Sequence, residues 1–245
     1  MKTALVTGAN KGIGFETAKQ LLQQGFYVYI GCRDLEKGMQ AVARLNTEGL
    51  NQVEAVQLDV TDQLSVAAAR AAIGRKAGCL DVLINNAGIS GGAPYTAIAA
   101  SPEQFLAVFN TNVIGVARVT QAFLDLMQKA AHPRIVNVSS SVGSLTLQSD
   151  PAWPAYDYGK YAAYGASKAA LNMYTVHLAY ELRNTPFKVN AVCPGYTKTD
   201  FTGNNGGDVA TAGRRIVKYA LIDENGPNGR FFSEETHPGS GEIPW

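Results

Sequence analysis

The feature that most constrains this chain is an alternation. Short runs of β-branched and aromatic residues recur along it, and longer stretches of helical periodicity lie between them. The strand-like runs are Thr3–Thr7, Tyr27–Gly31, Val53–Leu58, Val82–Asn85, Ile135–Ser139, Lys188–Val192 and Gly229–Phe232. Ile13, Thr17, Ala18, Leu21 and Leu22 form one helical stripe, which stops at the helix-ending Gly25. A long helix opens at Ser101-Pro102-Glu103-Gln104, with Ser101 suited to the N-cap, Pro102 to the first turn and Gln104 to the reciprocal cap. Its stripe runs Phe105, Val108, Phe109, Asn112, Val116, Val119 and Phe123, and another runs Leu171, Tyr174, Leu178 and Leu182. Strands separated by helices pair in parallel through crossovers. The pattern therefore predicts an α/β fold, a doubly wound parallel sheet of about seven strands with helices on both faces.

A chain of 245 residues with 46% hydrophobic and 17% charged residues suits one domain over 1–245, without repeats or linkers. Two segments break the alternation and are expected to face a ligand beyond the carboxyl ends of the strands: about 141–160, rich in Pro, Gly and aromatics, and about 200–213, polar and Gly-rich. The net charge is +1 with no basic run, which argues against nucleic acid as a partner. Cys32, Cys79 and Cys193 form no metal-binding or paired spacing, so neither a zinc site nor a disulfide framework is expected, and a reducing compartment fits. The opening MKTALVTGAN is too short an apolar stretch for a signal core, and no run approaches bilayer length. These features predict a soluble, cytoplasmic protein with no membrane partner.

Directly after the first strand comes Thr7-Gly8-Ala9-Asn10-Lys11-Gly12-Ile13-Gly14, which opens a helix. Glycines there permit a tight turn and let backbone N–H groups approach a pyrophosphate, and the helix N-terminus favours its charge. An ordinary Gly-rich turn is the plain alternative, but strand, glycines and helix in this order point to a nucleotide. After the second strand stands Arg33, with Lys11 as a further cation in the glycine loop. Cations at that place suit a 2′-phosphate, whereas an acidic residue would suit a free ribose hydroxyl. Asp34 follows directly, so Arg33 paired with it at a helix start is the alternative.

The spacing G-x-x-x-G-x-G resembles the cofactor motif of the short-chain dehydrogenase/reductases, and five further motifs follow in that family's order. The resemblance spans the chain from Thr3 onward and implies a Rossmann-type domain binding NADP(H). Within it, Gly8, Asn10, Lys11, Gly12, Ile13 and Gly14 would line the adenosine and pyrophosphate. Asp59 and Val60 would hold the adenine, and Asn86, Ala87 and Gly88 of Asn85-Asn86-Ala87-Gly88 would lie beside the cofactor. Pro194, Gly195, Thr197 and Thr199 would hold the nicotinamide carboxamide, with Thr199 preferred to Thr197.

Tyr164 and Lys168 lie four apart at the start of a helix and so share a face. A phenol titrates near 10, and a nearby ammonium favours its phenolate, which suits it to acid/base work. The family's Y-x-x-x-K pair acts in this way, and its lysine also contacts the nicotinamide ribose. Tyr156 and Lys160 have the same spacing, but Pro154 and Gly159 favour a loop there, and Pro194-Gly195 stands at the family's separation from Tyr164. By register, Ser140 is the family's carbonyl-binding serine, with Ser139 and Ser141 as alternatives. Asn112, an amide in an apolar stripe, must find partners and matches the fourth catalytic member, although a structural role alone would also satisfy it. Catalytic roles thus fall to Asn112, Ser140, Tyr164 and Lys168, and substrate contacts to Ser140, Trp153, Tyr164 and Tyr196.

The resemblance, with the long loop between Ser140 and Tyr164, is closest to the NADPH-dependent carbonyl reductases. It implies reduction of ketones or aldehydes to alcohols, a small-molecule carbonyl or alcohol partner, and no metal. An NAD(H)-dependent alcohol or sugar dehydrogenase of the same fold, or a silent NADP-binding regulator, is the rival reading. The family implies a homo-oligomer, a dimer or tetramer, although the enlarged loop also fits a monomer. The apolar end of Gly241-Glu242-Ile243-Pro244-Trp245 is expected to pack within the chain or on a neighbour.

Overall fold

The computed structural model describes residues Met1–Trp245. Seven parallel strands form one sheet: β1 (Thr3–Thr7), β2 (Tyr27–Cys32), β3 (Val53–Gln57), β4 (Val82–Asn85), β5 (Arg134–Val138), β6 (Lys188–Val192) and β7 (Phe231–Phe232). Their order is β3-β2-β1-β4-β5-β6-β7. The chain thus winds outward from β1 in one direction, then returns to β4 and winds outward in the other. The crevice between the carboxyl ends of β1 and β4 is the topological switch point, where open sheets of this class bind ligands.

Eight helices cover the faces: α1 (Gly12–Gln23), α2 (Leu35–Thr47), α3 (Gln63–Lys76), α4 (Pro102–Phe109), α5 (Gly115–Met127), α6 (Leu145–Ser149), α7 (Ala162–Glu181) and α8 (Val209–Ala220). Alternation along the strands divides the core between the faces. Ala4, Val6, Val28, Ile30, Ile84 and Val136 meet α1, α2 and α8 through Leu21, Leu45 and Ile216. Leu5, Tyr29, Leu83, Ile135 and Val189 meet α3, α5 and α7 through Ile73, Phe123 and Leu178. Aspartates cap α2, α3 and α8, where Asp34, Asp62 and Asp208 accept from backbone N–H groups of the first turn.

The structure departs from the sequence expectations at four places. The helix expected to run through Phe105 and Phe123 is broken by a π-turn at Asn110–Ile114. The 141–160 segment is not all loop: it holds a 3-10 turn at Ser141–Gly143 and then α6, capped by Ser144. The 200–213 segment opens with a 3-10 turn at Asp200–Thr202 and becomes α-helical at Val209, after the Asp208 cap. The last strand is shorter than expected: Gly229, at φ +67, donates to Val189 O, but regular pairing with β6 covers only Phe231–Phe232.

The final residues stay within the chain. They return antiparallel along β7, with Ser233 N donating to Gly241 O and Ile243 N to Phe231 O. Trp245 stacks on Phe231, and its carbonyl accepts from Thr146 N in α6. No helix is long and apolar enough to cross a membrane.

Candidate active site

A cleft of about 710 Å³ opens over the carboxyl ends of β1, β4 and β5 and gathers most of the expected residues. Gly8, Asn10, Lys11, Gly12, Ile13, Gly14, Arg33, Asp59, Val60, Asn86, Ala87, Gly88, Tyr164, Lys168, Pro194 and Thr199 all line it. The glycine loop is glycine for steric reasons. A Cβ on Gly8, at φ +65, would lie 2.9 Å from the Ala87 Cα, and one on Gly14 would lie 2.7 Å from the Gly8 carbonyl. The loop is sewn to the end of β4: Thr7 Oγ1 accepts from Asn86 N and Ala87 N, each at 3.0 Å, and Asn86 Nδ2 donates to Thr7 O at 2.8 Å. Unlike the aspartate-capped helices, α1 starts from an extended Lys11 with no side-chain cap and no acidic residue in its first turn. Its N–H groups face the cleft with the positive end of the helix dipole, a setting that fits a pyrophosphate.

At the far end, Asn10, Lys11, Arg33, Asp34 and Lys37 surround a side recess. Asp34 does not oppose Arg33: one of its carboxylate oxygens caps α2 through Lys37 N, and the other pairs with Lys37 Nζ at 3.1 Å. Lys37 had no motif to announce it, since only the α2 turn brings it beside Arg33. Lys11 pairs across the cleft with Asp200 at 2.7 Å. Asp59 is held by Thr61, whose N–H and hydroxyl both donate to its Oδ1.

Tyr164 and Lys168 lie in the first turns of α7. Ser167 between them fixes that turn: its hydroxyl donates to Tyr164 O at 2.7 Å and accepts from Asn112 Nδ2 at 3.0 Å. Lys168 is 4% exposed, and its Nζ donates to Val138 O at 2.7 Å, 5.5 Å from the Tyr164 ring centre. Burial lowers its ammonium to about 8. Burial also raises the Tyr164 phenol, with Cys193 adding to the rise, and the Ser140 hydroxyl works against it. The expectation that lysine draws the phenol down is thus not met by these protein groups alone; burial dominates.

Three serines follow β5, and geometry separates two of them. Ser139 lines the cleft, but its hydroxyl is committed to Asn172 Oδ1 at 2.6 Å, whereas Ser140, half-buried and just outside the cleft lining, makes no capping bond and faces Tyr164. Asn112 sits fully buried in the π-turn. Its Oδ1 accepts from Ile89 N, and its Nδ2 donates to Ile89 O and to Ser167 Oγ. The side chain is therefore committed to holding the loop after β4 and the start of α7. Both of its amide hydrogens are used.

Other expected residues stand away from the cleft. Trp153 is buried, with Gly159 packed under its ring, so it holds the inserted loop together instead of facing a substrate. Tyr196 is exposed outside the lining, and Thr197 is buried behind it, its hydroxyl donating to Gly195 O. Gly195, at φ +92, turns between Arg215, which donates to Pro194 O, and Glu235, which accepts from Tyr196 N. Tyr156 lies in turns under the Lys160 ammonium, 3.8 Å from its ring centre. Phe201, which no motif marked, tilts against Tyr164 with ring centres 5.5 Å apart and lines the cleft.

A doubly wound sheet with a glycine cradle at its switch point, and a half-buried tyrosine beside a buried lysine in the same cleft, defines an oxidoreductase that binds a nicotinamide cofactor. The short chain dehydrogenase family model matches residues 2–209, and the chain belongs to that family, near its carbonyl reductase branch. The (-)-isopiperitenone reductase of Mentha piperita is 35% identical, with 95% of this chain and 96% of that protein covered. Salutaridine reductase of Papaver bracteatum is 33% identical, covering 95% and 94%. Among solved structures, an NADPH-bound carbonyl reductase from chicken fatty liver superimposes with a TM-score of 0.85 at 31% identity, covering 100% and 99%.

Proposed function

We propose that this protein reduces ketones or aldehydes to alcohols with NADPH. The observation that carries the reading is Tyr164, half-buried in the first turn of α7 between Ser140 and the Lys168 side of the helix, at the wall of the cleft. The resemblance in name and fold to reductases, one of them bound to NADPH, supports it. Arg33 supports the phosphorylated cofactor: in the recess it shares with Lys11, Asp34 and Lys37, Asp34 pairs with Lys37 and Lys11 with Asp200, which leaves the Arg33 guanidinium without a carboxylate partner.

The cofactor, when bound along the glycine loop, supplies the hydride. The protein's part is to orient the carbonyl and to manage one proton. Ser140 and Tyr164 donate hydrogen bonds to the substrate oxygen, polarising it and stabilising the alkoxide as it forms. Because burial disfavours the phenolate, Tyr164 holds its proton until a stronger base appears, and the alkoxide is such a base. Lys168, brought down to about 8, is a cation near neutrality and favours the tyrosinate left behind. Asn112 keeps this turn in place through Ser167, which makes it a positioning residue here.

The test is to mix the purified chain with NADPH, and separately NADH, and a panel of ketones and aldehydes while following nicotinamide absorbance. Consumption of NADPH matched by alcohol formation supports the proposal. Preference for NADH overturns the cofactor assignment, and no consumption with any carbonyl overturns the reaction.

A further inference from the structure

We propose that Phe201 is the specificity-determining residue of the substrate site, and that it selects carbonyl compounds whose carbonyl sits next to a flat apolar group, an aryl ring or an unsaturated carbocycle. The inference rests on the carbonyl-reductase reading above and names the substrate class of that same site.

Residues 196–207 form a loop that needs no apolar packing to hold its shape. Its ends are joined by Gly207 N donating to Tyr196 O at 2.8 Å and Lys198 N to Gly207 O at 2.9 Å. Its centre is the Thr202 hydroxyl, which contacts Thr197 O at 2.6 Å, Thr199 O at 3.1 Å and Asn205 O at 2.7 Å, and accepts from Thr199 N. Gly203 and Asn204 complete the turn in the left-handed region, at φ 61 and 62. Between Tyr196 and Val209 every other side chain is polar or absent, and Phe201 is the one large apolar group.

That ring is not buried by its own loop. It is 47% exposed, tilts at 57° against Tyr164, and lines the cleft. An apolar ring held half in water beside the proton-donating residue gains free energy when a ligand covers it. A flat apolar ligand gains more, because offset or tilted ring contacts add to area burial.

Two contacts fix where the ring stands. The Lys11 ammonium reaches Asp200, the neighbour of Phe201, at 2.7 Å, and Thr199 lies against Gly12, its Cγ2 3.5 Å from where a Cβ would be. The loop that carries Phe201 is therefore seated on the glycine loop at one end and on the catalytic tyrosine at the other. The ring meets a substrate carbonyl held by Tyr164, and a flat substituent on that carbonyl lies along it.

The experiment compares wild type, Phe201→Ala and Phe201→Tyr by kcat/KM with NADPH for aryl and cyclic unsaturated ketones and for butanone-sized aliphatic ketones. Phe201→Ala should lower kcat/KM for the flat substrates about tenfold more than for the small aliphatic ones, a ratio set by one ring contact and its burial. Phe201→Tyr keeps the ring and should restore that ratio. An equal loss on both classes, or no change in the ratio, overturns the proposal while leaving the reductase reading intact. A wild-type chain that reduces no carbonyl at all brings down the reductase reading itself, and the proposal with it.

Discussion

At Tyr156 and Lys160 the chain runs through successive turns held by Trp153. The lysine there lies exposed over the tyrosine ring and bonds Gln148. At Tyr164 and Lys168 the same residue types at the same spacing fall on a twenty-residue helix. There the lysine is buried against Val138 O, and the tyrosine has Ser140 and Phe201 for neighbours. The difference is one of surroundings. The first pair's lysine lies in water, whereas desolvation at the second raises the tyrosine, lowers the lysine and gives the pair something to do. A four-residue motif is therefore informative only with the element that carries it.

That contrast can be broken by direct measurement, and the largest effect is expected at Tyr164. Replacing it with Phe should lower kcat about a thousandfold, the scale of a lost general acid, with nicotinamide consumption as the readout. Activity that survives would move the chemistry to the other pair. The distant end of the cleft should respond next. Arg33→Asp should raise the KM for NADPH about thirtyfold, as expected for a lost charge-assisted contact, while NADH turnover changes little.

Lys168 sharpens the contrast through pH. Its lowered titration makes it a cation below about 8 and neutral above. Reduction should therefore hold level up to that pH and then fall, by about tenfold one unit higher, in a kcat–pH profile. A profile flat well past that point would mean that the ammonium plays no part. The smallest effect belongs to Tyr156→Phe, which keeps the ring under Lys160 and should leave kcat within about twofold, as at other surface sites remote from chemistry. A large loss there would erase the distinction between the two pairs.

How much of this was legible beforehand follows physical lines. The strands were readable because residues buried on both faces of a parallel sheet leave continuous apolar runs, as in Ala4-Leu5-Val6 and Val82-Leu83-Ile84. The glycine loop was readable because its shape leaves no room for a Cβ. The π-turn was not, since nothing in Asn110–Ile114 signals it until Asn112 is seen bonding Ile89. Helix α6 is five residues long and carries no stripe, and only Ser144 as a cap hints at it. Helix α3 is alanine-rich, so its buried Val66, Ala69 and Ile73 stand out poorly. Trp153 reads as a substrate contact by position and turns inward by packing. Phe201 was hidden because a single aromatic in a polar loop has no periodicity; its isolation was the available clue.

The return of the final residues along β7 bears on how these molecules tolerate one another. A parallel sheet ends in two outermost strands whose free N–H and C=O groups can recruit a strand from another molecule, the first step of edge-to-edge aggregation. One border, β3, carries Glu54 paired with Lys76, charge that discourages docking. The other, β7, is two residues long and is paired by Gly241 and Ile243 from its own chain. Loss of that pairing would bare an apolar border containing Phe231 and Phe232. A chain clipped before Gly241 should then be prone to self-association, a failure of colloidal behaviour with no counterpart in the catalytic cleft.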